Sequence, residues 1–380
     1  MYVTINAEVS ESGIAHWMLQ TRVRLRRRSD WRTTPLGFIL PPMPLVLPSV
    51  GALLLVAGVV GPVAAQTASL EPTRPAADSL LAQRLAAVPA ELRLAGGDLH
   101  VINLYKLQSE VLLGSAGEPA DTVIVRLVRS VYEPYTGFWQ GYLGDEAAFR
   151  EWAAELLAPD HPIHSRVVPL LDAELDRRFD DGVAWIDSTT GRRPAGTWYI
   201  VFGPGWTDMG GLTGIGMVAD FSRMEPDSAA IAGILPHELT HQVQGATAAH
   251  AADPDAGTVL DRVVGEGFAT YVAGVYAAGE RTDAENLGYS SAEWEWALAH
   301  EAGLVAALRP ILSSRDRDDI DLVAARNAQL IEGAPGAAGY FIGLRIVQAY
   351  VDRHGDESWK ELYDMPVRDV LAKSGYLDER

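Results

Sequence analysis

In "DEAAFREWAAELLAP" (145–159) the apolar positions Phe149, Trp152 and Leu156 recur three to four residues apart. That spacing lays one apolar stripe along a helix, with acids opening the segment and Pro159 closing it. "RVVPLLDAELDRRFDDGVAWI" predicts another helix, on which Asp172, Glu174, Asp176, Asp180 and Asp181 form a solvated face. "DTVIVRLVRSVYEPY" has Ile124, Leu127, Val128 and Val131 at helical spacing, while its β-branched content leaves a strand open. Two short runs read as strands, "TWYIVFG" (197–203) and "GIGMVADF" (214–221). The second is expected at the edge of a small sheet, where an extended peptide could pair with it. The intervening "GPGWTDMGGLT" reads as a flexible connection, since it lacks the Gly-Lys-Ser/Thr ending of a phosphate-cradling loop.

Further on the period is helical. "PDSAAIAGILPHELTHQVQGATAAH" contains Pro236, which either kinks the helix before His237 or marks its start. A polar turn (251–257) leads to "VLDRVVGEGFATYVAGVYAAG" (259–279), and the most amphipathic later piece is "YFIGLRIVQAYVDRHG" (340–355). The expected fold class is α+β, mainly helical. The chain divides into a leader (1–65), a linker (66–97) with one short helix in "ADSLLAQRLAAV", a mostly helical part (98–196) and a C-terminal part (197–380).

The leader has its own chemistry. Arg22, Arg24, Arg26, Arg27, Arg28 and Arg32 form a basic cluster, and no further charge appears before Glu71. Within that gap runs "SVGALLLVAGVVGPVAAQ", with Val63 and Ala65 as the small residues of a cleavage site before Gln66. This is the layout of an export signal. The alternative is an uncleaved N-terminal membrane anchor, against which Pro41, Pro42, Pro44 and Pro48 interrupt a single spanning helix. Residues 1–17 precede Met18 and read as an over-extended start.

Composition narrows the partners. Of 380 residues 48% are hydrophobic, enough for a substantial core, and none is cysteine. Disulfides, thiolate metal sites, a cysteine nucleophile and a lipid-modified cysteine are thereby excluded. The net charge is −19; removing the six Arg and three acids of the leader makes it −22. Such a surface repels nucleic acid and anionic lipid, so we expect no nucleic-acid partner and no stable membrane insertion once the signal is removed.

"HELTH" holds the most specific chemistry. Helical residues four apart lie about 40° apart in projection, so His237 and His241 point the same way and can share one Zn²⁺. Glu238 lies about 100° round from His237, beside the metal, where it can take a proton from an attacking water. Two histidines do not complete a catalytic zinc site. His250 would fall on the opposite face of a continuing helix, and six residues past His241 stands Thr247. Glu266, between Gly265 and Gly267 and among apolar Val263, Val264, Phe268 and Ala269, is the favoured third ligand, with Asp261 and Glu280 next. The flanking glycines leave room for close helix approach.

"HELTH" followed by "GEGFATYV" resembles the gluzincin class of zinc metallopeptidases, which use two His and one Glu. From Thr197 to the C-terminus the chain is similar to the bacterial family of predicted zinc-dependent proteases related to gliding-motility lipoproteins, including "GYFIGLRIVQAYVDRHG" and "VRDVLAKSGY". The resemblance implies a zincin-like fold with a small sheet, an HExxH helix and a helical C-terminal lobe, 197–380 being the catalytic part. It implies one zinc ion and a peptide or protein substrate. There are two departures. Thr270 stands where thermolysin-like enzymes have an Asp four residues after the ligand Glu, and the lipoprotein cysteine of the gliding relatives is missing. A second donor to the transition state is sought among Tyr340, His300 and Arg345, with Tyr340 preferred. The resulting expectation is an exported zinc peptidase with Glu238 as general base. The alternative is a non-catalytic exported binding module with a structural zinc.

Overall fold

The computed structural model describes residues 74–212 and 214–377. The leader, its cleavage site and the start of the linker lie outside the described residues. A helix α1 (Arg74–Ala87) precedes strands β1 (Glu91–Leu94) and β2 (Leu99–Asn103). Six helices follow: α2 (Leu104–Gly114), α3 (Ala120–Leu127), α4 (Thr136–Tyr142), α5 (Glu146–Leu156), α6 (Ile163–Asp172) and α7 (Leu175–Thr190). Then come β3 (Gly196–Val201), β4 (Met209–Leu212) and β5 (Gly216–Asp220). The rest is helical: α8 (Ser228–Gly245), α9 (Ala248–Ala251), α10 (Val259–Tyr276), α11 (Asp283–Leu287), α12 (Ser291–Ala299), α13 (Glu301–Leu308), α14 (Arg317–Ala324), α15 (Ala338–His354) and α16 (Val367–Ser374). The fold is α+β and mainly helical. Among the described residues no helix is long and apolar enough to cross a membrane.

The five strands form one mixed sheet in the order β1-β2-β3-β5-β4. β2, β3 and β5 run parallel, and the two outer strands are antiparallel to their neighbours. This corrects the expectation for "GIGMVADF": β5 is paired on both sides, and the outer strand is β4, inside the glycine-rich connection. Gly210 and Gly211 lower the strand propensity of β4, which is held by its pairing with β5 and by Met209 in the core. β1, too, falls in a segment expected to be linker. It pairs with β2 because Leu94 and Leu99 both reach the core.

The helices follow the apolar period with two informative differences. Asp145 caps α5 by accepting the Ala148 N–H, as its acid-first sequence implies. The single helix expected over 166–186 is two, because Glu174 adopts a left-handed backbone (φ 50°) between α6 and α7. Asp172, Glu174, Asp180 and Asp181 are exposed, Asp172 paired with Arg84 and both Glu174 and Asp181 with Arg177, but Asp176 departs from the expected solvated face: it is half-buried and accepts from the Asn103 amide (3.1 Å). In "DTVIVRLVRSVYEPY" the strand alternative falls: α3 passes into a π turn over Val128–Tyr132.

Two contacts position the site. α8 lies against the sheet with Leu239 and Val243 buried, and the Trp198 indole N–H donates to Gln242 (2.6 Å), tying β3 to that helix. α10 and α15 cross almost backbone to backbone. A Cβ on Gly267 would lie 1.9 Å from the Gly343 carbonyl carbon, and one on Gly343 would lie 1.9 Å from the Val263 oxygen. Of the two glycines beside Glu266, then, only Gly267 serves close approach; Gly265 faces open space.

Candidate metal centre

α8 runs through Pro236 without ending, so His237, Glu238 and His241 share one helix. α10 returns beside it and brings Glu266 across. The Glu266 Oε2 atom lies 3.0 Å from His237 Nε2 and 3.1 Å from His241 Nε2, and the two nitrogens are 3.1 Å apart. Among the described residues this is the group of three that could hold a metal ion. Four ligand atoms around tetrahedral Zn²⁺ at about 2.0–2.1 Å stand roughly 3.3 Å apart, so the observed triangle is only slightly tighter than a zinc face. Its chemistry also fits. Three nominal acceptors converge on one point, and a single proton can bridge only two of them, whereas a cation satisfies all three.

The surroundings tune each group. Glu266 is buried, which alone would raise its pKa. His241, hydrogen bonds from both histidines, and Arg262 together outweigh that and hold the carboxyl well below the usual range. His237 is pushed below its ordinary value by burial, against the pull of Glu266. His241 also suffers from burial, yet Glu266 and Glu238 together raise it. Glu238 has no such partners. Burial raises its pKa to about 8, with His241 opposing.

Arg262 escaped the sequence reading. Its Nη1 donates to Glu266 Oε1 (2.6 Å), occupying the oxygen turned away from the histidines and leaving Oε2 for the cluster. The signal was there, since Arg262 precedes Glu266 by four residues and so shares its helix face. Thr270, at the other notable position, spends its hydroxyl on the Glu266 backbone carbonyl (2.8 Å) and does not reach the carboxylate. An arginine one turn before Glu266 thus does the orienting.

Tyr340 comes to the site from the first turn of α15. Its ring lies nearly parallel to that of His237, 9° between planes and 6.1 Å between centres. Burial, then the Glu266 charge, raise its pKa well above 10, so the hydroxyl remains a donor. The other two donors considered lie elsewhere. His300 stacks on Trp296 and pairs its Nδ1 with that residue's carbonyl, and Arg345 is engaged with Glu301 and Gln348. The residues weighed as alternative ligands are likewise apart from the cluster. His250 sits 4.0 Å from Asp261, whose carboxylate accepts the Gly257 N–H, and Glu280 is exposed in the turn after α10.

The sequence model of the family described as gliding motility protein GldB matches residues 234–378. That stretch contains the HELTH residues, Glu266 and Tyr340. No curated protein and no solved structure matches the chain.

Proposed function

We propose that this protein is an exported zinc-dependent hydrolase that cleaves peptide bonds. The observation that carries the proposal is the convergence of His237, His241 and Glu266 on one point, with the buried acid Glu238 adjoining His237 in sequence. His237, His241 and Glu266 would hold the ion. When bound, Zn²⁺ supplies Lewis acidity and lowers the pKa of water. Glu238 takes the proton of the attacking water and passes it to the leaving amine. Tyr340, a protonated donor beside His237, supplies a hydrogen bond to the carbonyl oxygen as negative charge develops there. Arg262 keeps Glu266 oriented. An extended substrate would pair with β4, the outer strand that touches α8. Export is proposed from the basic cluster and apolar run of the leader, and the matched family's name, gliding motility, is in keeping with a protein outside the cytoplasm.

The second reading is an exported binding module whose zinc is structural. Glu238 argues against it. A structural site gains nothing from a buried carboxyl that the fold must keep protonated or otherwise compensate. Glu238→Gln keeps the shape and removes the basic oxygen. Zinc content and the melting of the zinc-loaded protein should stay unchanged, while cleavage of a mixed peptide library slows by roughly 10²–10⁴-fold. Equal cleavage by both proteins rejects the mechanism. Tight zinc binding by both with no cleavage by either favours the binding module.

A further inference from the structure

The loop 202–208 leaves β3 at its C-terminal end, beside the end of the parallel strand β5. Sheets with parallel strands bind ligands outside such ends. The loop is tied down by Asp220, the last residue of β5. Its buried carboxylate accepts the N–H groups of Gly203 (2.8 Å), Gly205 (2.8 Å) and Ser222 (2.9 Å) and the hydroxyl of Tyr142 (2.7 Å). Gly203 must lack a side chain here, since a Cβ would lie 2.5 Å from Asp220 Oδ2. At the far end the Asp208 carbonyl accepts the Asp220 N–H (2.7 Å), so one residue holds the loop at both ends.

Two side chains of this fixed loop face solvent. Trp206 is 49% exposed, with its ring edge-on to that of Tyr142 at 5.6 Å. Asp208 is exposed as well. Its Oδ1 accepts the Met209 N–H (2.9 Å), and among the described residues no Lys, Arg or His pairs with the carboxylate. Asp208 also lies beside the candidate metal centre. It immediately precedes β4, the strand that touches α8. The Glu238 carboxyl, raised mainly by burial, feels the charges of His241, Glu266, Asp208 and Arg262. Of those four, Asp208 alone comes from outside α8 and α10.

We propose that Asp208 binds a positively charged nitrogen of the substrate, with Trp206 contacting the same group or the apolar stem that carries it. The inference rests on reading the cluster as a hydrolytic centre, and it names the substrate class: peptides with a basic side chain or a free amino terminus near the bond on which Glu238 acts. A carboxylate already fixed through Oδ1 loses little further freedom when Oδ2 takes an ammonium or guanidinium. Tryptophan is the aromatic ring that attracts a cation best. With a net charge of −19, the molecule as a whole draws cationic peptides toward it, so long-range steering and local pairing agree. The cation is either a Lys or Arg side chain or the substrate's N-terminal ammonium.

Calorimetry with three probes tests this: N-acetyl-alanyl-lysyl-alanine amide, alanyl-alanyl-alanine amide with its free amino terminus, and the neutral N-acetyl-alanyl-alanyl-alanine amide. Each is titrated into zinc-loaded and metal-free protein, because an amine that merely ligates the metal loses its advantage when the metal is removed. At least one cationic probe should bind about five- to tenfold tighter than the neutral one in both forms. Asp208→Asn should erase the preference and Asp208→Glu should keep part of it, with zinc content and melting unchanged in both. Asp180→Asn removes the same charge from the exposed face of α7 and should leave the preference intact. Preference for the lysyl probe identifies a basic side-chain subsite; preference for the free amino terminus identifies an aminopeptidase subsite. Equal binding of all three probes, a preference untouched by Asp208→Asn, or equal losses in Asp208→Asn and Asp180→Asn overturns the proposal. A protein that binds cations through Asp208 but cuts no peptide keeps the subsite and loses the peptidase reading. One that cuts peptides with no cationic preference loses the subsite alone.

Discussion

Glu266 and Gly267 are neighbours on α10, yet they serve two different contacts. Toward α8 the contact is polar: a carboxylate oxygen and two imidazole nitrogens meet within 3.1 Å, and what they need is a positive charge. Toward α15 the contact is bare backbone, Gly267 against Gly343, and what it needs is the absence of atoms. The first interface depends on protons and ions, and the second is indifferent to both. They nevertheless act on the same geometry. Tyr340 stands three residues before Gly343, so the spacing set by the glycine crossing also sets how far Tyr340 sits from the cluster. The comparison teaches that one helix can carry a tunable site because its adjoining face is not tunable.

The largest effect should come from breaking the shape-dependent side. Gly343→Ala forces a Cβ to within 1.9 Å of the Val263 oxygen, and neither backbone can yield cheaply. We expect a loss of about 3 kcal/mol or more, read as a lowered denaturation midpoint. Gly265→Ala, whose Cβ would meet open space, should instead leave stability unchanged or raise it by up to about 1 kcal/mol through helix propensity. Similar losses in both variants would mean that the crossing does not govern stability.

On the polar side, Arg262→Ala frees Glu266 Oε1 and leaves the ligand oxygen unoriented. Zinc affinity should fall about 10–100-fold, the usual cost of losing a residue that orients a metal ligand. Glu266→Ala should lose far more. Competition with a chelator measures both, and unchanged affinity in Arg262→Ala would remove the orienting role.

The remaining effect is a slope, small over any one pH unit. In metal-free protein the pKa of Glu238 rises from 4.5 to about 8, so the folded state holds this proton more tightly than the unfolded chain does. Its contribution to stability is complete below about pH 4.5 and is lost as pH climbs through about 8, by at most about 1.4 kcal/mol per pH unit. Melting of metal-free wild type should therefore fall relative to metal-free Glu238→Gln between pH 5 and 8. Parallel curves would place the Glu238 carboxyl in water.

Local patterns were legible where the chemistry is local. The helical period located α5, α8, α10 and α15, and a spacing of four brought His237 and His241 to one face. Glu266 could be picked out because a lone acid among Val263, Val264 and Phe268 needs a partner. Other features depended on residues far along the chain. The turn at 251–257 looks merely polar, yet Asp253 is buried because it accepts the Val367 N–H of α16, 114 residues on. Asp255 beside it is buried and holds Arg368. The break at Glu174 had no signature, since a left-handed glutamate looks like any other in a sequence.

The sequence by itself determined the candidate metal ligands that the fold brings together and the mainly helical class with a small sheet, because helix period and ligand spacing are short-range. Tertiary structure decided which strand lies outermost, which glycine beside Glu266 admits another helix, and that Arg262 and Tyr340 rather than Thr270, His300 or Arg345 attend the cluster. Those outcomes depend on which surfaces meet: Gly265 and Gly267 are identical in sequence, and only the approach of α15 makes one of them irreplaceable.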